Sequence, residues 1–175
     1  MSLTYVIPDI HGRSDLLRDG LARIAAHARG GYGTLVALGD YVNKGPDSKA
    51  VIELLRAGPL PGWPFIPLKG NHDAMMVDGL CDHSKMQWWL DRGGDTTIAS
   101  YGGDPSKVPP DDIEWLDGLA LIRRLLPPTY RFSRVRRNAH PIGVKITKKQ
   151  LGTRIALFRG FPLPFHCFLQ IDREA

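Results

Sequence analysis

Only two cysteines, Cys81 and Cys167, occur in 175 residues. They are too few for a disulfide framework and point to a reducing, cytoplasmic setting. Long apolar runs are also scarce. Residues 1–7 are apolar but lack a basic lead and stop at Pro8-Asp9, unlike an export leader. Residues 155–171 are broken by Arg159, Pro162, Pro164 and His166, so no membrane span or membrane partner is expected. The C-terminal part lacks acid. Residues 122–175 hold 12 Lys/Arg against Asp172 and Glu174 alone, whereas residues 1–121 hold 11 Lys/Arg against 16 Asp/Glu. The formal charge of +5 therefore hides an acidic body and a strongly basic tail. A content of 43% hydrophobic and 23% charged residues excludes a wholly disordered chain.

The body reads as alternating strands and helices. Leu3 to Ile7 is a β-branched and aromatic run, and Thr34 to Leu38 is a second buried strand. Pro64 to Leu68 is a weaker third strand because prolines flank it. Between them, Leu16, Leu17, Leu21, Ile24 and Ala28 recur at helical spacing after Ser14-Asp15 and before Gly30-Gly31, and residues 51–57 form a second helix stopped by Gly58-Pro59. Strand, helix, strand, helix, strand predicts an α/β fold with a parallel sheet whose ligands gather at the carboxyl ends of the strands.

Each predicted strand end carries metal-competent residues. The first is Asp9-Ile10-His11-Gly12, the second runs from Gly39-Asp40 through Asn43-Lys44-Gly45 to Asp47-Ser48, and the third is Gly70-Asn71-His72-Asp73. Any one of these suits a turn or a cap. Three in order, at one edge of one sheet, amount to a site. Asp9, His11, Asp40 and Asn71 make a mixed oxygen and imidazole set suited to Mn, Fe, Zn or Mg, with Asp40 able to bridge two ions. The glycines allow close backbone approach beside these ligands. Several other residues read as ordinary structure. His27 suits a helix end, Cys81-Asp82-His83 a loop, and Trp88, Trp89 and Trp115 the packing between helices. Asp111-Asp112 reads as a helix start.

These blocks resemble the calcineurin-like metallophosphoesterases, above all the bacterial serine/threonine protein phosphatases and the symmetrical dinucleoside tetraphosphatases. The family patterns Asp-x-His-Gly, Gly-Asp-x-Val-Asp-Arg-Gly and Gly-Asn-His-Glu are matched in order by DIHG, GDYVNKG and GNHD. The similarity continues through Trp88-Trp89, Gly93-Gly94 and Tyr101-Gly102 to about Leu121. The resemblance implies a metallophosphoesterase-type sandwich of two mixed sheets flanked by helices, incomplete here in its C-terminal half. It implies two divalent ions, Mn among the candidates, the first held by Asp9, His11 and Asp40 and the second by Asp40 and Asn71. It makes His72 the general acid, Asn43 its orienting partner, and Lys44 and Asn71 the phosphate-binding residues. The implied reaction is hydrolysis of phosphoprotein or nucleotide-type phosphate esters by metal-activated water.

Three departures weaken that pattern. Asn43 stands where the family has Asp, and it carries no charge to stabilise an imidazolium at His72. Lys44 replaces an Arg and loses its planar two-pronged grip, and Asp73 replaces a Glu. The two later family histidines have no clear counterparts, His140 being the nearest candidate and His166 a poorer one. The chain accordingly divides into a core at 1–121 and a divergent basic segment at 122–175. The segment reads as a divergent second half, as a basic nucleic-acid arm with Tyr130, Phe132 and Phe158 for stacking, or as a stretch replaced by a frame change. The last accounts for both the charge step and the joint loss of the later motifs. Two alternatives to a working phosphoesterase follow: a degenerate phosphatase that binds metal and phosphate without turnover, and a nucleic-acid-binding protein that uses its tail.

Overall fold

The computed structural model describes residues 3–125, 130–137, 140–148, 154–157 and 169–173, with side chains described through residue 121. The expected α/β architecture is present. Strand β1 (Leu3–Ile7) lies between two parallel neighbours, β2 (Gly33–Ala37) and β7 (Arg154–Leu157), and β3 (Phe65–Pro67) adds to the outer side of β2. Being central, β1 is apolar but for Thr4, and Thr4, Tyr5, Val6 and Ile7 are all buried.

Helix α1 (Ser14–Ala28) connects β1 to β2 and buries Leu17, Leu21 and Ile24, one stripe at spacings of four and three. It ends where Arg29 enters the left-handed region at φ 48° and the chain passes into Gly30. Helix α2 (Ser48–Arg56) buries Val51, Ile52 and Leu55 against the same core. It begins three residues before the position the apolar spacing predicts. The Asp47 side chain accepts from the Ala50 amide and caps it there.

A third helix, α3 (Asn71–Cys81), starts after only three residues beyond β3, Leu68 to Gly70, so Asn71, His72 and Asp73 form its first turn and not an open loop. The reason is local: the Asp73 carboxylate, three residues into the helix, reaches back to the Gly70 amide at 2.7 Å. After α3 come α4 (His83–Trp89), a wide kinked turn over Leu90–Gly94, α5 (Asp95–Ser100) and α6 (Pro110–Asp117). Asp82 caps α4 through the Ser84 amide, so the Cys81-Asp82-His83 stretch is a helix junction. Arg56 on α2 ion-pairs with Asp112 on α6, and Asp112 also accepts from the Tyr101 hydroxyl. Burial and that hydrogen bond push the Tyr101 phenol well above its usual range.

The predicted tryptophan packing holds at Trp89, which is fully buried, and at Trp115, which meets the core. It fails at Trp88. That ring is 43% exposed and carries the Arg92 guanidinium over its face at 4.4 Å.

The tail supplies strands. Strand β7 extends the first sheet, and β4 (Ile122–Leu125), β5 (Tyr130–Arg137), β6 (His140–Lys148) and β8 (Leu169–Arg173) form a second one. In that sheet β4, β5 and β6 run antiparallel and β6 pairs with β8 in parallel. The stretch through Arg134-Val135-Arg136-Arg137, which carries no apolar run, is therefore β-structure. The first half of β5, Tyr130-Arg131-Phe132-Ser133, alternates as antiparallel strands do, and the alternation breaks at Arg134-Val135, next to the irregularity in the β5–β6 pairing. His140 opens β6, and His166 and Cys167 lie outside the described residues. No helix among the described residues is long and apolar enough to cross a membrane.

Candidate functional site

The three loops named from the sequence meet at the carboxyl edge of the parallel sheet, backbone against backbone. The Ile10 and His11 amides donate to the Asp40 carbonyl, and the Gly12 amide donates to the Tyr41 carbonyl. Glycine is required at two of the contacts. A Cβ on Gly45 would lie 2.0 Å from the His11 carbonyl oxygen, and one on Gly39, at φ +95°, would lie 2.3 Å from the Gly70 nitrogen.

Backbone strain gathers at the same place. Five described non-glycine residues have positive φ, and four of them are His11 (47°), Asp40 (53°), Asn43 (71°) and Lys44 (68°). Such conformations cost on the order of 1 kcal/mol each and persist only where the surroundings dictate them.

Those surroundings can be traced. Asp73 is fully buried, and its carboxylate accepts from three backbone amides: Asp40 at 2.8 Å, Tyr41 at 2.8 Å and Gly70 at 2.7 Å. One side chain thereby ties the second loop to the third. Asp40 is 1% exposed, and its Oδ1 accepts from the His72 amide at 2.9 Å. Its Oδ2 lies 3.8 Å from His11 Nε2. Asp73→Ala would leave three buried amides without an acceptor, each costing about 1–3 kcal/mol. We expect a loss of about 3 kcal/mol or more, read as a lowered denaturation midpoint, with Asp73→Asn intermediate because one acceptor oxygen remains.

His11, Asp40 and His72 converge, with one ligand-type atom from each lying within 4.8 Å of the others. The two imidazoles meet edge to face at 4.8 Å between centroids. Asp9 stands two residues before His11, half-buried, and is not a member of that trio. Asn71 immediately precedes His72 in the first turn of α3. The His140 side chain lies outside the described residues.

Hydrogen-bond partners fix the chemistry of both rings. His11 Nδ1 faces the Val42 carbonyl at 3.0 Å, and a carbonyl only accepts, so Nδ1 carries the proton and Nε2 carries the lone pair. The Lys44 ammonium, which only donates, points to that Nε2 at 3.1 Å and agrees. His11 is thus preset as a ligand, its other nitrogen held by a backbone carbonyl as metal-binding histidines commonly are. His72 differs. Its Nδ1 faces Asn43 Nδ2 at 2.9 Å. Asn43 Oδ1 accepts from the Trp89 indole at 3.0 Å and from the Thr97 hydroxyl at 3.0 Å. The carboxamide NH₂ therefore donates to His72 Nδ1, and the ring's proton resides on Nε2.

The residues fit a divalent cation. Hard oxygen and imidazole donors converge, His11 offers a lone pair, and Asn71 Oδ1 is buried with no hydrogen-bond partner, an acceptor in want of a cation or a donor.

Sequence reasoning missed Trp89, Thr97 and Ser48 as members of the site and undervalued Asp73. The Asn43 amide donates to both the Ser48 and the Thr97 hydroxyl oxygens, at 3.2 and 2.9 Å. A signal existed for Trp89, since a buried indole N–H needs an acceptor. None existed for Thr97.

An α/β protein with a cation-type donor cluster at the carboxyl edge of a parallel sheet is the class that fold and site define. The profile of the calcineurin-like phosphoesterases matches residues 3–145, and the chain belongs to that family. It is 33% identical over 91 residues to Serine/threonine-protein phosphatase 2 of Escherichia coli (strain K12). It is 33% identical over 91 residues to Serine/threonine-protein phosphatase 1 of Salmonella typhimurium (strain LT2). Each alignment covers 52% of this chain and 38% of the relative, so the match spans well under half the length of those phosphatases. Among solved structures, it is similar to a candidate diadenosine tetraphosphatase at TM-score 0.44 and 25% identity, over 70% of this chain and 49% of the other. It is also similar to a metallophosphoesterase from Sphaerobacter thermophilus at TM-score 0.40 and 20% identity, over 69% and 41%.

Proposed function

We propose that this chain is a metal-dependent phosphoesterase that hydrolyses phosphate monoesters of the phosphoprotein or nucleotide type. The observation that carries the reading is the convergence of His11 Nε2, with its preset lone pair, on the buried Asp40 carboxylate and His72; the partnerless Asn71 Oδ1, one residue before His72, supports it. The similar phosphatases and the family agree with it. In this reading Asp9, His11 and Asp40 hold one divalent ion and Asp40 and Asn71 a second, with Mn the first candidate and His140 a further ligand only if it reaches the site. Bound ions of this kind neutralise phosphate charge and lower the pKa of a water molecule.

The protein's own groups have separate tasks. Lys44, exposed at the rim, presents its ammonium to phosphate oxygens, and Asn71 adds its side-chain amide. His72 offers an Nε2–H as a hydrogen bond to the ester oxygen, and Asn43 holds the ring in place. The buried Asp73 carboxylate keeps the loops in register. We assign the chain to the cytoplasm on its cysteine usage.

The test is release of nitrophenol from an aryl phosphate by the purified chain with Mn²⁺. Activity should vanish on chelation, return with metal, and fall by on the order of 10²-fold in His11→Ala, since even supporting residues around a metal cost 10–100-fold. Metal-independent activity would overturn the reading.

One observation favours a narrower version. A neutral His72 that accepts at Nδ1 is a poor proton source. Esters of strongly basic alcohols would then be bound and turned over slowly, as in the degenerate alternative. An alkyl phosphate that inhibits aryl phosphate release while being hydrolysed far more slowly supports this version.

A further inference from the structure

The described residues that act on His72 from a distance lie on α4 and α5, outside the three loops that carry the ligand-type residues. Asn43 is completely buried, and all its side-chain capacity on the oxygen side is used: Oδ1 accepts from Trp89 Nε1 and Thr97 Oγ1, both at 3.0 Å. Trp89 and Thr97 are themselves fully buried. We propose that Trp89 and Thr97 are positioning residues that lock the Asn43 carboxamide with its NH₂ toward His72, and so set which nitrogen of His72 carries the proton. The catalytic consequence rests on the phosphoesterase reading; the lock itself does not.

The argument is one of donors and acceptors. An indole N–H has no acceptor capacity, so turning the carboxamide over would set its NH₂ against another donor in a site closed to water. The Thr97 hydroxyl cannot rescue the flipped state easily. It accepts from the Asn43 amide at 2.9 Å and gives its proton to Oδ1; in the flipped state that proton would have to turn to the Ser48 hydroxyl, 3.1 Å away, and the indole N–H would still face a donor. The segment is anchored where it must be. The Lys44 amide donates to the Gly93 carbonyl at 3.2 Å, and Gly94 packs so closely on the indole that a Cβ there would lie 2.6 Å from it. Trp89 thus has its N–H aimed by a glycine that admits the ring, while Thr97 is aimed by the backbone of the residue it clamps.

The test reads the His72 tautomer by long-range ¹H–¹⁵N correlation of histidine-labelled protein, full length and saturated with Mg²⁺, at a pH where the ring is neutral. His72→Gln assigns the signals. In the wild type, Nε2 should be protonated and Nδ1 bare. In Trp89→Phe combined with Thr97→Val the carboxamide is released, and the Nδ1–H form should rise at least several-fold. Thr97→Ser, which keeps the hydroxyl, should retain the wild-type tautomer. The proposal is overturned by an Nδ1–H tautomer in the wild type, a result that needs no variant to fold. It is also overturned by a folded double variant with an unchanged tautomer, or by Thr97→Ser shifting the tautomer as the double variant does. None of these readouts requires turnover. A chain inactive on every ester defeats the phosphoesterase reading while leaving the lock intact, and an active chain with the wrong tautomer does the reverse.

Discussion

Replacing Asn43 by Asp should raise kcat on an alkyl phosphate by on the order of 10²-fold, while aryl phosphate hydrolysis gains far less. The carboxamide NH₂ now donates to His72 Nδ1, which leaves no room for a proton there. A carboxylate in the same place would accept from Nδ1–H and stabilise the imidazolium, the form able to give a proton to a departing oxygen. The surroundings already suit it. The Trp89 and Thr97 donors that hold Oδ1 would hold one carboxylate oxygen equally well, so the change adds charge without repacking. A leaving alkoxide is strongly basic and needs the proton, whereas a nitrophenolate leaves nearly unaided, and this difference makes the gain selective. An equal gain on both substrates would show that position 43 acts through metal placement and not through His72. Lys44→Arg should behave differently, lowering KM with little effect on that selectivity, because it restores a two-pronged phosphate contact.

The site was legible in the sequence where its determinants are local, and it was obscure where they are not. Asp9-x-His11-Gly12, Gly39-Asp40 and Gly70-Asn71-His72 announced themselves because a strand that ends in glycine beside a ligand-type residue is a short-range pattern, and the structure brings all three loops to one sheet edge. Trp89 and Thr97 act on Asn43 from 46 and 54 residues away, a pairing that no spacing rule reaches. The helix that begins at Asn71 was hidden for another reason. Its cap is the Asp73 carboxylate folding back on Gly70, and the same residues read equally well as a loop of metal ligands. In the tail, arginine-rich alternation obscured β5, and parallel pairing of β7 with β1 joins residues about 150 positions apart, beyond any local signal.

Asp40→Ala should remove nearly all tight divalent-metal binding, and His140→Ala almost none. In the proposed assignment Asp40 is the ligand common to both ions, and its buried carboxylate also accepts the His72 amide, so its loss strips charge and unseats the third loop together. In that assignment the two ions would be unequally served. The first would have two carboxylates, Asp9 and Asp40, with the preset lone pair of His11. The second would have a share of Asp40 and the neutral Oδ1 of Asn71, a thin set for a divalent cation even with water completing its shell. Calorimetric titration with Mn²⁺ should therefore show one tight equivalent followed by a much weaker one, and turnover should keep rising with added metal after the first is filled. His140 opens β6 in the second sheet, and the expectation for it rests on its sequence neighbours, which lack the family's strand-end histidine pattern. Two tight equivalents in the wild type, reduced to one in His140→Ala, would show that the tail completes the second site and that the second ion has a protein ligand beyond Asp40 and Asn71.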